Sequence, residues 1–125
     1  MAETPRSALD LHMAAISKLD PAAMCESQNF PFVHIWPDGS TEFTETEEDF
    51  EFPDVSKILG SAWHHSVLEE AEEVTRDDNA ISYRVVFTRR RDDDSILGKY
   101  EAIWLVTRSS GNWGVQFRHG AIELD

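Results

Sequence analysis

Apolar and polar positions alternate along three successive runs in the last third of the chain, and polar turns separate these runs. β-branched and aromatic residues are frequent in all three runs, and a period of two residues is typical of β-strands. The pattern predicts strands at residues 80–91, 96–107 and 112–122. We expect these strands to follow one another in a curved antiparallel sheet.

The segment before these strands, residues 63–75, has two interpretations. Its run Leu-Glu-Glu-Ala-Glu-Glu favours a helix by intrinsic propensity. However, glutamates crowded together repel one another on an isolated helix. We interpret the segment as a long edge strand, because the three strands after it need a fourth neighbour to complete a covered sheet.

The N-terminal region carries two helix-start signals of the same kind. Thr4 is placed to cap a helix that has proline at its first position, and apolar residues then recur with helical spacing, which predicts a helix at residues 5–19. Asp20 repeats the signal for a short helix at residues 21–25. His12 lies on the apolar side of the first helix, so we expect it to face the interior of the sheet.

Residues 30–36 form a further strand candidate, in which Phe32, His34 and Trp36 share one face. The Pro-Asp-Gly sequence that follows indicates a turn, and residues 41–44 are suited to a return strand. The acidic stretch at residues 42–51 has no helical or strand period, and we interpret it as a solvated loop or edge. Pro53 then begins a predicted short helix that ends at Gly60.

Composition narrows the function classes. The 125 residues suit a single domain covering residues 1–125, and the net charge of −13 argues against nucleic acid and anionic membranes as partners. No apolar run approaches the roughly 18 residues that a membrane span needs, and no secretory signal is visible. A single cysteine excludes an internal disulfide. We therefore expect a soluble, cytoplasmic protein.

The order of these elements resembles the nuclear transport factor 2-like superfamily, which includes ketosteroid isomerases and polyketide-cyclase-like proteins. The helix break at residues 19–23 (LDPAA) and the last hairpin, residues 100–107 (YEAIWLVT) and 110–118 (SGNWGVQFR), carry the resemblance. The sequence looks most similar to uncharacterised bacterial members of this superfamily. The resemblance implies an α+β fold, with a cone-shaped curved antiparallel sheet wrapped around the N-terminal helices. It also implies a pocket at the open end and a homodimer through the outer sheet face, but no particular reaction.

The last hairpin supplies the candidate ligand pocket. Gln116 and Arg118 share one face of the last strand. A three-residue loop at residues 109–111 would place Trp104 opposite Gln116, with Tyr100 further along the same face. We favour this loop because Gly111 then falls where a positive φ is needed.

A two-residue loop at residues 110–111 is the alternative. Every assignment on one strand then changes face, and Leu105 and Ile103 become the partners of Gln116 and Arg118. In the favoured register an amide and a guanidinium lie beside aromatic walls, which include Trp36, and this arrangement suits a small acidic or carbonyl ligand.

Acid–base and metal chemistry have few candidates. His34 and His12 are the acid–base candidates, although such histidines are more often structural. His64 and His65 are adjacent, so on a strand they point to opposite faces and do not readily share one ion. The sequence contains no His-x-x-x-His or Cys-x-x-Cys spacing of the kind that binds zinc, and we predict neither a metal nor a cofactor. No aspartate lies inside the last strands, which argues against isomerase chemistry of the ketosteroid type.

Two functions remain. The first is a small-molecule-binding protein, with or without enzymatic activity on a compact carbonyl- or polyketide-like compound. The second is a non-catalytic dimerisation or protein-interaction module. It is suggested by the strand at residues 96–107, which is apolar on both faces and needs cover on both sides.

Overall fold

The computed structural model describes residues 2–52 and 58–124. The described residues include the complete helices α1 and α2, a short 3-10 helix and one six-stranded sheet. The bounds of these elements are α1 Pro5–Lys18, α2 Pro21–Glu26, β1 Gln28–Ile35, β2 Thr41–Thr44, the 3-10 helix Glu47–Asp49, β3 His65–Arg76, β4 Ala80–Arg90, β5 Ile96–Ser109 and β6 Asn112–Glu123. The short helix predicted after Pro53 falls largely on residues 53–57, which lie outside the described residues.

Both helix starts are capped as predicted. The Thr4 hydroxyl accepts a hydrogen bond from the backbone N–H of Ser7 at 3.1 Å. The Asp20 carboxylate accepts one from the N–H of Ala22 at 3.0 Å, and proline occupies the first turn of each helix. Leu19 separates the helices in a left-handed conformation, with φ of 52°. Each cap satisfies backbone donors that have no partner inside the helix.

The strands are ordered β2-β1-β6-β5-β4-β3 across the sheet. The segment at residues 63–75 forms β3, paired antiparallel with β4, so the strand interpretation is confirmed. The α+β class is confirmed as well, with one departure: β1 runs parallel to β6, which makes the sheet mixed. The hydrophobic pattern contains no information about strand direction. The whole of β3, β4 and β5 lies between β1 and β6 in the chain and provides the long connection that parallel pairing needs.

The turn between β5 and β6 differs from our expectation. Ser109 pairs with Asn112, so the loop has two residues, Ser110 and Gly111, with φ of 52° and 82°. Two successive positive φ values are characteristic of a type I′ turn, whose twist matches that of the flanking strands. The three-residue loop is therefore wrong.

A bulge then changes the register within the same hairpin. Val106 pairs with Val115, but Leu105 pairs with Phe117, so Gln116 is the extra residue. Beyond the bulge, Arg118 lies opposite Trp104. Neither of the simple registers considered for this hairpin predicts that pair, because a bulge turns the following residues over relative to the partner strand.

The core lies between α1 and the concave face of the sheet. Leu9 and Met13 of α1 pack against buried strand residues such as Val85 and Val106. His12 is also fully buried, which confirms that it faces the sheet interior. Within the part of the chain described, no helix is both long and apolar enough to cross a membrane.

Candidate functional site: a cavity lined by a buried arginine

A cavity of about 120 Å³ lies between α1, the concave sheet face and the segment after β2. Its walls are mostly apolar, with both aliphatic and aromatic side chains. The aromatic side chains are Phe32, Trp36, Phe50, Phe52, Phe87 and Trp104. The charged ones are Glu42, Glu51, Arg89 and Arg118. An enclosure of this kind, with apolar walls and a few polar groups, is typical of small-molecule sites.

Arg118 is the central charged group of this cavity. The bulge at Gln116 places it on the concave face, and its guanidinium lies 5.3 Å from the centre of the Phe32 ring. Although the residue keeps some exposed surface, its Nε is fully shielded and has no hydrogen-bond partner among the described residues. Loss of solvation lowers the pKa of the guanidinium to about 10.

No described carboxylate forms an ion pair with Arg118. The only opposing influence on its pKa is the more distant charge of Glu42, which raises it. A cation removed from water without a paired anion is unfavourable, and the usual remedy is a counter-charge with hydrogen bonds to the group. The guanidinium therefore has the capacity to accept an anionic ligand.

His34 holds one edge of the guanidinium in place. Its Nε2–H donates to the carbonyl oxygen of Gly120 at 2.7 Å, and its Nδ1 lies 3.4 Å from Nη2 of Arg118. Because a carbonyl only accepts and a guanidinium only donates, these contacts fix His34 as the neutral Nε2–H tautomer. Burial, followed by the charge of Arg118, lowers its pKa to about 3. Its single lone pair is already used, so this geometry does not support His34 as a general base at neutral pH.

His12 lies below the cavity and does not line it. Its Nδ1 is 2.9 Å from the Ser27 hydroxyl, and that hydroxyl donates to the carbonyl of Met24 at 2.7 Å. The hydroxyl proton is thus engaged, so Nδ1–H of His12 is the donor. The edge of Trp104 packs against the imidazole, with ring centres 4.9 Å apart. Burial holds the pKa of His12 well below its usual value, and these contacts are those of a structural histidine.

Three of the five residues predicted to form the pocket line this cavity: Trp36, Trp104 and Arg118. Gln116 does not. As the bulge residue, it accepts a hydrogen bond from the Thr107 hydroxyl at 2.7 Å and donates to the carbonyl of Pro31 at 2.9 Å. These contacts tie β5, β6 and β1 together and correct the expectation that Gln116 orients a ligand.

Tyr100 does not line the cavity either; it supports a residue that does. The guanidinium of Arg89 lies 3.9 Å from the centre of the Tyr100 ring, and Arg89 is part of the cavity wall. Burial lowers the pKa of Arg89. Arg89 is not among the residues predicted for the pocket, although it continues the alternation of concave-face positions through Val85 and Phe87.

The adjacent histidines also differ from our expectation. His64 precedes β3, so it is not held to the strand's alternation, and Nδ1 of His64 lies 3.0 Å from Nδ1 of His65. The second nitrogen of His65 lies 2.9 Å from Asp94. The two rings therefore contact each other and do not point to opposite faces as predicted. Across residues 2–52 and 58–124, no three histidine, cysteine, aspartate or glutamate side chains are grouped so that they could hold a metal ion.

Comparison with known proteins places this geometry in a class of folds. A nuclear transport factor 2-like protein from Cytophaga hutchinsonii has 16% identity, with 93% of each chain covered and a TM-score of 0.66. A protein of unknown function with a cystatin-like fold from Nostoc punctiforme has 11% identity, covering 95% of this chain and 87% of that one, with a TM-score of 0.76. A putative calcium/calmodulin-dependent protein kinase type II association domain from Thiobacillus denitrificans has 18% identity, covering 100% and 98%, with a TM-score of 0.74.

The chain thus has the nuclear transport factor 2-like, cystatin-like fold, and the resemblance seen in the sequence is confirmed at the level of the fold. No protein-family model matches the sequence, and no curated protein matches it. At these low identities the similar structures show the fold alone, and the function has to be argued from the cavity.

Proposed function

We propose that this chain is a cytoplasmic protein that binds a compact carboxylate in its cavity. The observation that carries the proposal is the shielded guanidinium of Arg118, which has an unused Nε–H and no ion-paired acid among the described residues. A carboxylate accepts two parallel hydrogen bonds from a guanidinium and supplies the missing charge. Binding would therefore relieve an unfavourable feature of the free protein.

The dimensions of the cavity support a small, flat ligand. A dry cavity of about 150 Å³ is enough to hold benzene, and this cavity measures about 120 Å³ with an open side. Aromatic rings pack well against aromatic walls. A single aromatic ring bearing a carboxylate, or an alkyl acid of the same size, fits both the walls and the charge.

The proposal is binding and does not include a reaction. His34 already accepts from Arg118, and His12 lies outside the cavity, so neither candidate histidine is placed to take a proton from a ligand. A general base must lie within hydrogen-bonding reach of that proton. A carrier, sensor or storage protein for a small acid agrees with this arrangement.

Titration with benzoate tests the proposal. Binding is measured by calorimetry and by the fluorescence of the cavity tryptophans. Arg118→Gln should weaken benzoate binding at least about tenfold, because a charge-assisted hydrogen bond contributes about 1.5–3 kcal/mol. Arg108→Gln, at an exposed position beyond the cavity, is the matched control and should bind like the unmodified protein. Equal affinity of the Arg118 and Arg108 variants would overturn the proposal.

The second candidate, a homodimerisation module, is supported by a different surface. A cross-strand row of apolar side chains, Phe43, Val33, Phe117 and Leu105, runs over the outer face of the sheet. Phe43, at the edge of this row, is 61% exposed. Exposed apolar surface of this extent often marks an interface. One of the similar structures carries the name of an association domain, which agrees with such a role.

Sedimentation velocity tests this second candidate. We expect a dimer at micromolar concentration and a monomer for Phe43→Asp, because a buried, unpaired carboxylate is unfavourable in an interface. Val74→Asp alters another exposed apolar residue, on the opposite edge strand, and should remain a dimer. A monomeric unmodified protein would reject the module.

A further inference from the structure

Glu42 is a second charged residue that lines the cavity, on the same face of the sheet as Arg118. We propose that the bound carboxylate also carries a hydrogen-bond donor, an ammonium or a hydroxyl, at its other end, and that Glu42 accepts this donor. The inference rests on the proposed carboxylate site and names the ligand class of that site.

The sheet itself positions the two charges. Glu42 of β2 pairs with His34 of β1, and His34 pairs with Arg118 of β6, so the three residues form one cross-strand row. Two strand spacings separate the backbones of Glu42 and Arg118, on the order of 10 Å. Both side chains line the cavity, yet their charged groups do not come within ion-pair distance of one another. Because His34 lies between them in this row, a ligand with two polar ends would reach both residues by lying over the His34 side chain.

Glu42 is held in this position by a neighbouring aromatic residue. The indole N–H of Trp36 donates to Oε2 of Glu42 at 3.0 Å. The Trp36 ring in turn packs over the imidazole of His34, with ring centres 3.9 Å apart. A carboxylate has about four acceptor positions, and this contact uses one of them. Glu42 can therefore accept a further hydrogen bond without releasing Trp36.

The pair of charges favours one ligand class over two others. A simple monoacid satisfies Arg118 but leaves Glu42 without a new partner. A diacid brings a second negative charge toward Glu42 and is repelled. An acid with an ammonium or hydroxyl at the far end pairs with both residues and stays close to neutral within the cavity.

Three ligands with the same aromatic ring separate these cases in calorimetric titrations: benzoate, 4-(aminomethyl)benzoate and terephthalate. The unmodified protein should bind 4-(aminomethyl)benzoate about fivefold more tightly than benzoate, a modest gain because Glu42 is largely exposed to solvent. Terephthalate should bind more weakly than benzoate. In Glu42→Gln, which keeps an acceptor for Trp36, the three affinities should converge.

Glu45→Gln is the control for net charge, since Glu45 is exposed on the same acidic segment and does not line the cavity. It should keep the preference for 4-(aminomethyl)benzoate. If benzoate binds through Arg118 but the aminomethyl compound gains nothing, or its gain persists in Glu42→Gln, this inference is overturned and the carboxylate site stands. If none of the three ligands binds the unmodified protein, the carboxylate site fails, and the role of Glu42 fails with it.

Discussion

Replacing Arg118 with methionine should stabilise the ligand-free protein, although most substitutions in protein interiors destabilise. The guanidinium is largely removed from solvent, with its Nε fully shielded, and it lacks a paired acid among the described residues. Its pKa falls from 12.5 to about 10. Each tenfold change in acidity corresponds to about 1.4 kcal/mol, so the shielded charge costs the folded state about 3 kcal/mol.

Methionine removes that cost but also loses favourable contacts. The hydrogen bond to His34 and the contact with the Phe32 ring contribute about 1–2 kcal/mol together. The free energy of unfolding should therefore rise by about 1–2 kcal/mol, in line with other buried charges replaced by apolar residues. For a chain of this size, the rise corresponds to a Tm increase of roughly 4–8 °C.

Urea denaturation followed by circular dichroism measures this difference, with Arg108→Met as the control at an exposed position that should leave stability nearly unchanged. Benzoate should raise the Tm of the unmodified protein and leave that of Arg118→Met unaffected. A loss of more than about 1 kcal/mol in Arg118→Met would show that the guanidinium is well compensated inside the protein. The case for an anionic ligand would then be refuted.

Three further outcomes follow from the structure. His34 should contribute a loss of stability as the pH falls from about 6.5 toward 3, because its pKa is lowered to about 3 in the folded state and the unfolded chain takes up the proton first; in His34→Gln, urea denaturation should show a shallower decline over this range. Ser110→Asn should raise the free energy of unfolding by a few tenths of a kcal/mol, since asparagine tolerates the positive φ of this turn better than serine does; an equal loss would contradict the turn assignment. Asp20→Ala should lower the free energy of unfolding by about 1 kcal/mol, because the α2 cap is lost; urea denaturation measures the change.

Much of the fold could be predicted because its signals are local. The Thr4 and Asp20 caps, the alternation in β4 to β6 and the turn after Trp36 each depend on a few neighbouring residues. The parallel direction of β1 could not be predicted, because it depends on where β6 arrives after the chain has passed through four other strands. Strand alternation fixes the face of a side chain but carries no direction.

The cavity was predicted less completely, and one residue explains most of the difference. Gln116 was assigned to the ligand, yet as a bulge it leaves the concave face and brings Arg118 opposite Trp104. A bulge has no reliable sequence signal when its residue is not glycine. Arg89 continues the alternation but is not among the predicted pocket residues, since a charged residue at a strand end is usually exposed.

The bulge in β6 also bears on how relatives of this fold could acquire different ligands. If Gln116 took a regular place in the ladder and the bulge were lost, Phe117 would lie opposite Trp104, and Arg118 would turn to the outer face. The cavity would lose its anion-binding group and become apolar. Arg118 would instead lie on the outer face, where a second subunit could contact it. Loss of the bulge alone could therefore exchange one binding preference for another, with every original side chain retained.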